Sequence, residues 1–367
     1  MLIPFLDLTR QHQELEPELH TALVRVLRSG QFILGPEVAA FEAEWARYCA
    51  VPAAAGVASG TDALALALVA SGAVRRGAGD EVITNPLTAG YTALAILNAG
   101  GVPVFADIDP QTYTLDPAAV EQSITPRTRA ILPVHLYGQL ADMDALCAVA
   151  AYHDLFVIED VAQAHGARRG DRRAGSFGTA AAFSFYPTKN LGACGDAGAI
   201  VAREAQLIGR VKNLRQGGHD AALDEKLEGR NSRLDELQAA LLRVKLNHLA
   251  EWNEQRKALA RFYHDALGHV PDLQLPTARD AEAHVYHLFV IQHPERERLR
   301  THLAARHIET LIHYPALLHQ QRLFRRLGQP ALPVAETVAP RLLSLPLYPQ
   351  LRMDEAQAVA DAVRAFV

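Results

Sequence analysis

A chain of 367 residues, 49% hydrophobic and 21% charged, is long enough for about two domains and too apolar to be disordered in its main state. Its formal net charge is -5, with 36 Lys and Arg against 41 Asp and Glu, so no overall basic field exists to hold a nucleic acid polymer. Cys49, Cys147 and Cys194 lie far apart with no C-x-x-C pair, which argues against a disulfide framework and a zinc site and fits a reducing compartment.

The opening residues MLIPFLDLTRQHQELEPEL carry no basic segment followed by a long apolar one. Apolar runs such as 63–70 and 180–183 fall short of the ~20 residues that span a bilayer. A cytoplasmic protein without a membrane segment is expected. The sixteen histidines show no metal-ligand spacing.

In chain order, ASGTDAL (58–64) leads into an Ala- and Leu-rich helix. The runs GDEVIT (79–84), GVPVFADID (101–109), TRAILPVHLYG (128–138) and DLFVIEDVAQAHG (154–166) alternate with helix-length stretches. That alternation predicts βαβ units, a mostly parallel sheet and an α/β architecture. Ligands gather at the carboxyl ends of such strands, so Asp107, His135 and Asp160 are expected along one functional edge. The run ARRGDRRAG (167–175) reads as a solvated hairpin turn, with a diphosphate contact as the minor alternative. Apolar residues at spacings near three and four, free of Pro and Gly, predict one long helix over 235–267. Beyond it, VYHLFVIQ (285–292), a helix over 295–306, IETLIHYP (308–315) and a last helix over 353–366 suggest a smaller α+β domain. A boundary near residue 245 gives a large domain at 1–245 and a small one at 246–367.

Three features carry chemistry. Lys189 sits in FSFYPTKNLGACGDAGA (183–199), an apolar and aromatic segment that enters a Gly-rich turn. Desolvation there lowers an amine's pKa and leaves it nucleophilic, as bond formation with an aldehyde requires. Asp160 ends LFVIED, where a buried carboxylate can keep a pyridine nitrogen protonated, and Gln163 can donate to a ring oxygen from the next turn. Gly60 and Thr61 open a helix whose free N–H groups and positive dipole suit a phosphate, with the Ser184 hydroxyl available to the same group. Each alone has a plain structural reading: a loop lysine, a strand-terminal acid, an ordinary N-cap. Together and in that order they compose a pyridoxal 5'-phosphate site.

The chain resembles, over nearly its whole length, the DegT/DnrJ/StrS family of sugar aminotransferases. The stretches that carry the likeness include PFLDL (4–8), SGQFILGPEVAAFE (29–42), ASGTDALALAL (58–68), IEDVAQAHGA (158–167), FSFYPTKNLGACGDAGAI (183–200), GRNSRLDELQAALLRVKL (229–246), IHYP (312–315) and SLPLYP (344–349). The resemblance implies a fold type I, aspartate aminotransferase-like fold and an activity dependent on pyridoxal 5'-phosphate. It implies Lys189 as the lysine that bonds to the cofactor and shuttles the proton, Asp160 as the pyridinium partner and Gln163 near the ring hydroxyl. Gly60, Thr61 and Ser184 match the phosphate contacts. Asn231 matches a residue that reaches the phosphate in the neighbouring subunit, so a homodimer with shared active sites follows. Tyr186, Arg233, His313 and Tyr314 match substrate contacts. Where many relatives place an aromatic residue to stack on the ring, this chain has Ala89, and Tyr91 is the substitute, with a packing role as its alternative.

Relatives that dehydrate sugars carry histidine at the lysine position, so Lys189 favours transamination. The expected partners are glutamate and a nucleotide-linked keto sugar. NLRQGGH (213–219) and NSRLDELQAALLRVKLNHLAEWNEQR (231–256) are closest in look to enzymes acting at C3 of dTDP-3-keto-6-deoxyhexoses, with a C4 aminotransferase of a UDP- or dTDP-linked sugar as the alternative. A non-catalytic cofactor-binding regulator is the alternative of another class, and joint retention of Lys189, Asp160 and Gln163 weighs against it. A nicotinamide-dependent oxidoreductase lacks its glycine fingerprint here. Cys194, with no adjacent histidine to act as base, reads as a small loop residue.

Overall fold

Runs of Val, Ile and Ala that close on polar residues form the central sheet. The computed structural model describes residues 2–218, 229–328 and 330–366; His219, the end of one resembling stretch, lies outside them. Its strands are β1 (Ala53–Val57), β2 (Glu81–Thr84), β3 (Val102–Phe105), β4 (Thr128–Leu132), β5 (Phe156–Asp160), β6 (Arg168–Arg169), β7 (Arg172–Arg173), β8 (Ala180–Ser184), β9 (Gly198–Ala202), β10 (Phe289–Gln292) and β11 (Leu342–Leu345). Seven of them form one sheet in the order β1-β9-β8-β5-β4-β2-β3, and only β9 runs against its neighbours. The four runs expected to be parallel strands are β2 to β5.

Strand alternation distributes apolar side chains to both faces. Ile131, Val157 and Val201 enter one core cluster with Phe41 and Trp45, while Leu132, Ile158 and Ile200 enter the other with Leu64 and Ile96. The helix Gly60–Ala70 is buried nearly all round, which its unbroken Ala and Leu content permits. It packs on β8 and on the helix Gly90–Ala99, holding its N-terminus at the end of the sheet where β5 delivers Asp160.

A third cluster joins Leu259, Tyr263, Phe289, Leu343 and Val363, and it also takes in Ile3 from the opposite end of the chain. Here β10 pairs antiparallel with β11, and the last helix is Met353–Arg364. The stretch 308–315 forms no full strand: it makes single bridges from Ile308 to Ile3 and from Leu311 to Ser344.

The single helix expected over 235–267 is two, Glu236–Leu246 and Leu249–Leu267. Asn247 and His248, both weak helix formers, close the first with N–H bonds to Val244 and Lys245 three residues back. The turn lets the first helix pack against the large sheet's layer and the second cross to the third cluster, Leu249 lying in one core and Leu259 in the other.

The arginine-rich run is a hairpin of β6 and β7 with Gly170 at φ +58. Arg168 pairs with Glu282 at 3.2 Å and Arg169 with Asp144 at 2.8 Å. Arg173 lies 4.4 Å over the Tyr48 ring and Arg172 4.2 Å over Phe177. These arginines serve the surface and none lines the cavity described next.

Candidate active site

A cavity of about 590 Å³ opens at the carboxyl end of β5. Gly60, Thr61, Asp160, Gln163, Ser184 and Lys189 line it, as do Tyr91, Tyr186, His313 and Tyr314. Ten of the twelve site residues expected from the sequence therefore meet in one place. The other two, Asn231 and Arg233, do not border the cavity of their own chain, and Asn231 is exposed.

Each wall follows from local structure. Ser59 caps the helix Gly60–Ala70 by accepting the Asp62 N–H at 3.1 Å, so the N–H groups of Gly60 and Thr61 at the first helical positions keep no intrahelical acceptor. Position 60 must be glycine, because a Cβ there would stand 2.6 Å from the Ser184 Cβ. That close approach sets the Ser184 hydroxyl beside the two free N–H groups. The arrangement receives an anion.

Asp160 is buried, and its two oxygens are aimed by different elements. Oδ1 accepts the Ala162 N–H at 3.1 Å and Oδ2 accepts the Thr92 hydroxyl at 2.9 Å. Burial pushes its carboxyl above the usual range, opposed by those two hydrogen bonds and by Lys189. Such an acid is ready for a cationic partner. Lys189 is half-buried at the turn after β8, where desolvation pushes its amine down to about 8 against the pull of Asp160. It can attack a carbonyl carbon or exchange a proton near neutral pH.

Gln163 is fixed from both ends: its carbonyl accepts the Tyr137 N–H at 2.7 Å and its amide donates to the Tyr314 hydroxyl at 3.0 Å. The Tyr137 hydroxyl donates to the His313 carbonyl, and His313 Nδ1 meets Ser344 Oγ at 2.9 Å. Burial pushes His313 down to about 4, and His287, which also lines the cavity, well below its usual value. The imidazoles around Lys189 are neutral.

Two of the three expected edge residues do other work. Asp107 accepts the Val334 and Ala335 N–H groups, both at 2.9 Å, and so caps the helix Pro333–Val338. His135 is fully buried against Glu159 at 3.0 Å, beneath the edge rather than on it. The sequence reading missed Thr92 and His287. Thr92 lies one helical step from Thr88, but nothing local shows that its hydroxyl meets a carboxylate 68 residues away. The absence of a histidine beside Cys194 is also corrected: His12 Nε2 stands 4.0 Å from its Sγ. Cys194 remains a loop residue outside the cavity, its backbone held at both N–H and C=O by Gln238.

Fold and site together define a fold type I transferase. Residues 13–364 match the DegT/DnrJ/EryC1/StrS aminotransferase family model. The chain is 48% identical over 365 residues to dTDP-3-amino-3,4,6-trideoxy-alpha-D-glucose transaminase of Streptomyces venezuelae, covering 99% of this chain and 95% of that one. It is 44% identical to dTDP-3-amino-3,6-dideoxy-alpha-D-galactopyranose transaminase of Aneurinibacillus thermoaerophilus, covering 100% and 99%. The crystal structure of S. venezuelae DesV in complex with a ketimine intermediate superposes with a TM-score of 0.95 at 47% identity, covering 100% of this chain and 98% of that one. The chain belongs to the DegT/DnrJ/EryC1/StrS aminotransferase family, whose members depend on pyridoxal phosphate.

Proposed function

We propose that this protein moves an amino group from glutamate to the C3 keto group of a dTDP-linked 3-keto-6-deoxyhexose, using pyridoxal 5'-phosphate. The observation that carries this reading is Lys189 and Asp160 facing one cavity with a helix N-terminus at its wall. The donor set fits the cofactor: the Gly60 and Thr61 N–H groups and the Ser184 hydroxyl for its phosphate, Asp160 for its ring nitrogen, Lys189 for its aldehyde. Tyr91 and Gln163 border the ring's space. The C3 assignment rests on the two curated relatives, both C3-amino sugar transaminases by name.

When bound, the cofactor supplies an electron sink and carries the nitrogen between substrates. The chain's own residues supply the rest. Asp160 holds a positive charge in place, and Thr92 and the Ala162 N–H orient its carboxylate. Lys189 Nζ takes the proton from the donor's α-carbon and returns one to the sugar's C3, work suited to an amine near neutrality. Tyr186, His313 and Tyr314 bound the sugar's side of the cavity, and we assign Asn231 and Arg233 to the site of a partner subunit in a homodimer.

The test is a panel of keto sugar nucleotides, C3 and C4, dTDP and UDP, incubated with glutamate and analysed by mass and NMR. A 3-amino dTDP sugar with release of 2-oxoglutarate is expected. Amination at C4 alone would refute the regiochemistry, and no transfer to any sugar would refute the function.

A further inference from the structure

Asn190 directly follows Lys189, and its side chain is buried in a line of polar groups whose directions are all set. Asn253 Nδ2 donates to the His165 carbonyl at 2.8 Å, so Asn253 Oδ1 is an acceptor. Asn190 Nδ2 donates to that oxygen at 2.8 Å and to the Val285 carbonyl at 3.1 Å, which uses both of its hydrogens. Asn190 Oδ1 can therefore only accept, and its partner at 3.2 Å is His287 Nδ1. The ring proton of His287 is on Nδ1, and Nε2 is left as a bare lone pair.

Arg256 secures the same residue from its backbone: Nη1 donates to the carbonyls of Leu347, Tyr286 and His287 at 3.0, 3.2 and 3.3 Å. His287 borders the Lys189 cavity and an adjoining one of about 550 Å³. Its Nε2 has no partner among the described residues and is not closed off, unlike both ring nitrogens of His165, so it opens on that space. Burial, then the fields of Lys189, Arg256, His313 and His165, hold the imidazole neutral, and no carboxylate among the described residues opposes them.

Lys189 borders the same cavity, and its Nζ makes no hydrogen bond among the described residues. One peptide unit, about 3.8 Å between Cα atoms, separates it from the residue that holds the ring. An ammonium needs acceptors, and a carboxylate in that role would lock the proton onto the amine. A neutral imidazole that resists protonation accepts the N–H without taking the proton and pulls less on the charged form.

We infer that His287 is a positioning residue for Lys189: its Nε2 accepts a hydrogen bond from the protonated amine and holds it in the cavity between proton transfers. In turnover the inference rests on the aminotransferase reading above.

Two substitutions separate this role from a structural one, because an Asn amide stands where Nδ1 was and a Gln amide where Nε2 was. His287→Asn keeps a donor for Asn190 and removes the acceptor, and His287→Gln does the reverse. In the cofactor-free protein, NMR of lysine labelled at Cε follows Lys189, assigned with Lys189→Met. Lys189 should titrate about one pH unit lower in His287→Asn, whose charged amine has lost its acceptor, and at the wild-type value in His287→Gln. In the holoenzyme, the glutamate half-reaction followed by bleaching of the visible absorbance should slow about tenfold in His287→Asn, with a larger α-deuterium isotope effect. In His287→Gln it should recover to within about threefold of wild type. A Lys189 titration unmoved in His287→Asn, or moved equally in both variants, overturns the inference, as does a His287→Gln enzyme slower than His287→Asn. If His287→Asn does not fold, His287→Gln decides by itself: a wild-type titration supports the inference and a lowered one overturns it. If no amino donor bleaches the wild-type holoenzyme, the aminotransferase reading fails, and the Lys189 titration still decides the role of His287.

Discussion

Lys189 and Asp160 face the same cavity under opposite pressures. Burial disfavours the charged form of each, moving the amine down and the carboxyl up, while their mutual attraction restrains both shifts. For the cofactor-free protein this has a testable sign. A lysine whose folded-state value lies near 8, below its ordinary value of 10.5, binds fewer protons folded than unfolded between those limits. Stability therefore rises with pH across that window, and below it the buried charge is a standing cost. Lys189→Met is expected to melt higher than the wild-type apoprotein at pH 7, with the gap closing towards pH 10. Melting temperatures of the two proteins across that range, by circular dichroism, check it; a constant gap would show that the lysine is not desolvated.

At the scale of elements, the anion cup depends on a helix start and a strand end meeting without room for one carbon. Ser59 takes one N–H, Gly60 and Thr61 keep theirs free, and β8 brings Ser184 against position 60. Alanine is ordinarily a better helix residue than glycine. Here Gly60→Ala is expected to cost about 1–3 kcal/mol of stability by overpacking against Ser184. It should also weaken cofactor affinity by about tenfold or more, since the hydroxyl must move from the free N–H groups. Denaturant unfolding and an absorbance titration with pyridoxal phosphate measure the two effects separately. A variant with unchanged cofactor affinity would remove the cup from the proposed site.

At the scale of the whole molecule, Asn231 and Arg233 are the residues that a single chain leaves out of its own cavity. On the proposed dimer they complete the neighbour's site, which makes subunit exchange informative. Lys189→Ala and Asn231→Ala proteins, each impaired alone, should regain activity when refolded together. Random pairing gives half mixed dimers with one intact site each, so about a quarter of wild-type activity is expected. Absence of recovery would assign Asn231 to its own chain. No helix among the described residues is long and apolar enough to cross a membrane.

The sequence by itself determined the strand pattern, the order of the chemical groups and the family, because these reside in short segments: β-rich runs ending in acids, a Gly-Thr helix start, a lysine in an aromatic run. Asp160, Gln163 and Lys189 stood out as candidates for that reason, and they line one cavity. Contacts between distant segments were not. Thr92 reaches Asp160, His12 reaches Cys194, Asp107 turns from the presumed functional edge to cap a helix 227 residues on, and the helix over 235–267 breaks at Asn247. Arg256 closes a stretch read only for its likeness to C3 aminotransferases, with no role of its own. Only the tertiary structure decided that it is buried with no acid paired to it among the described residues, because burial and pairing depend on which surfaces meet, and no local spacing encodes that.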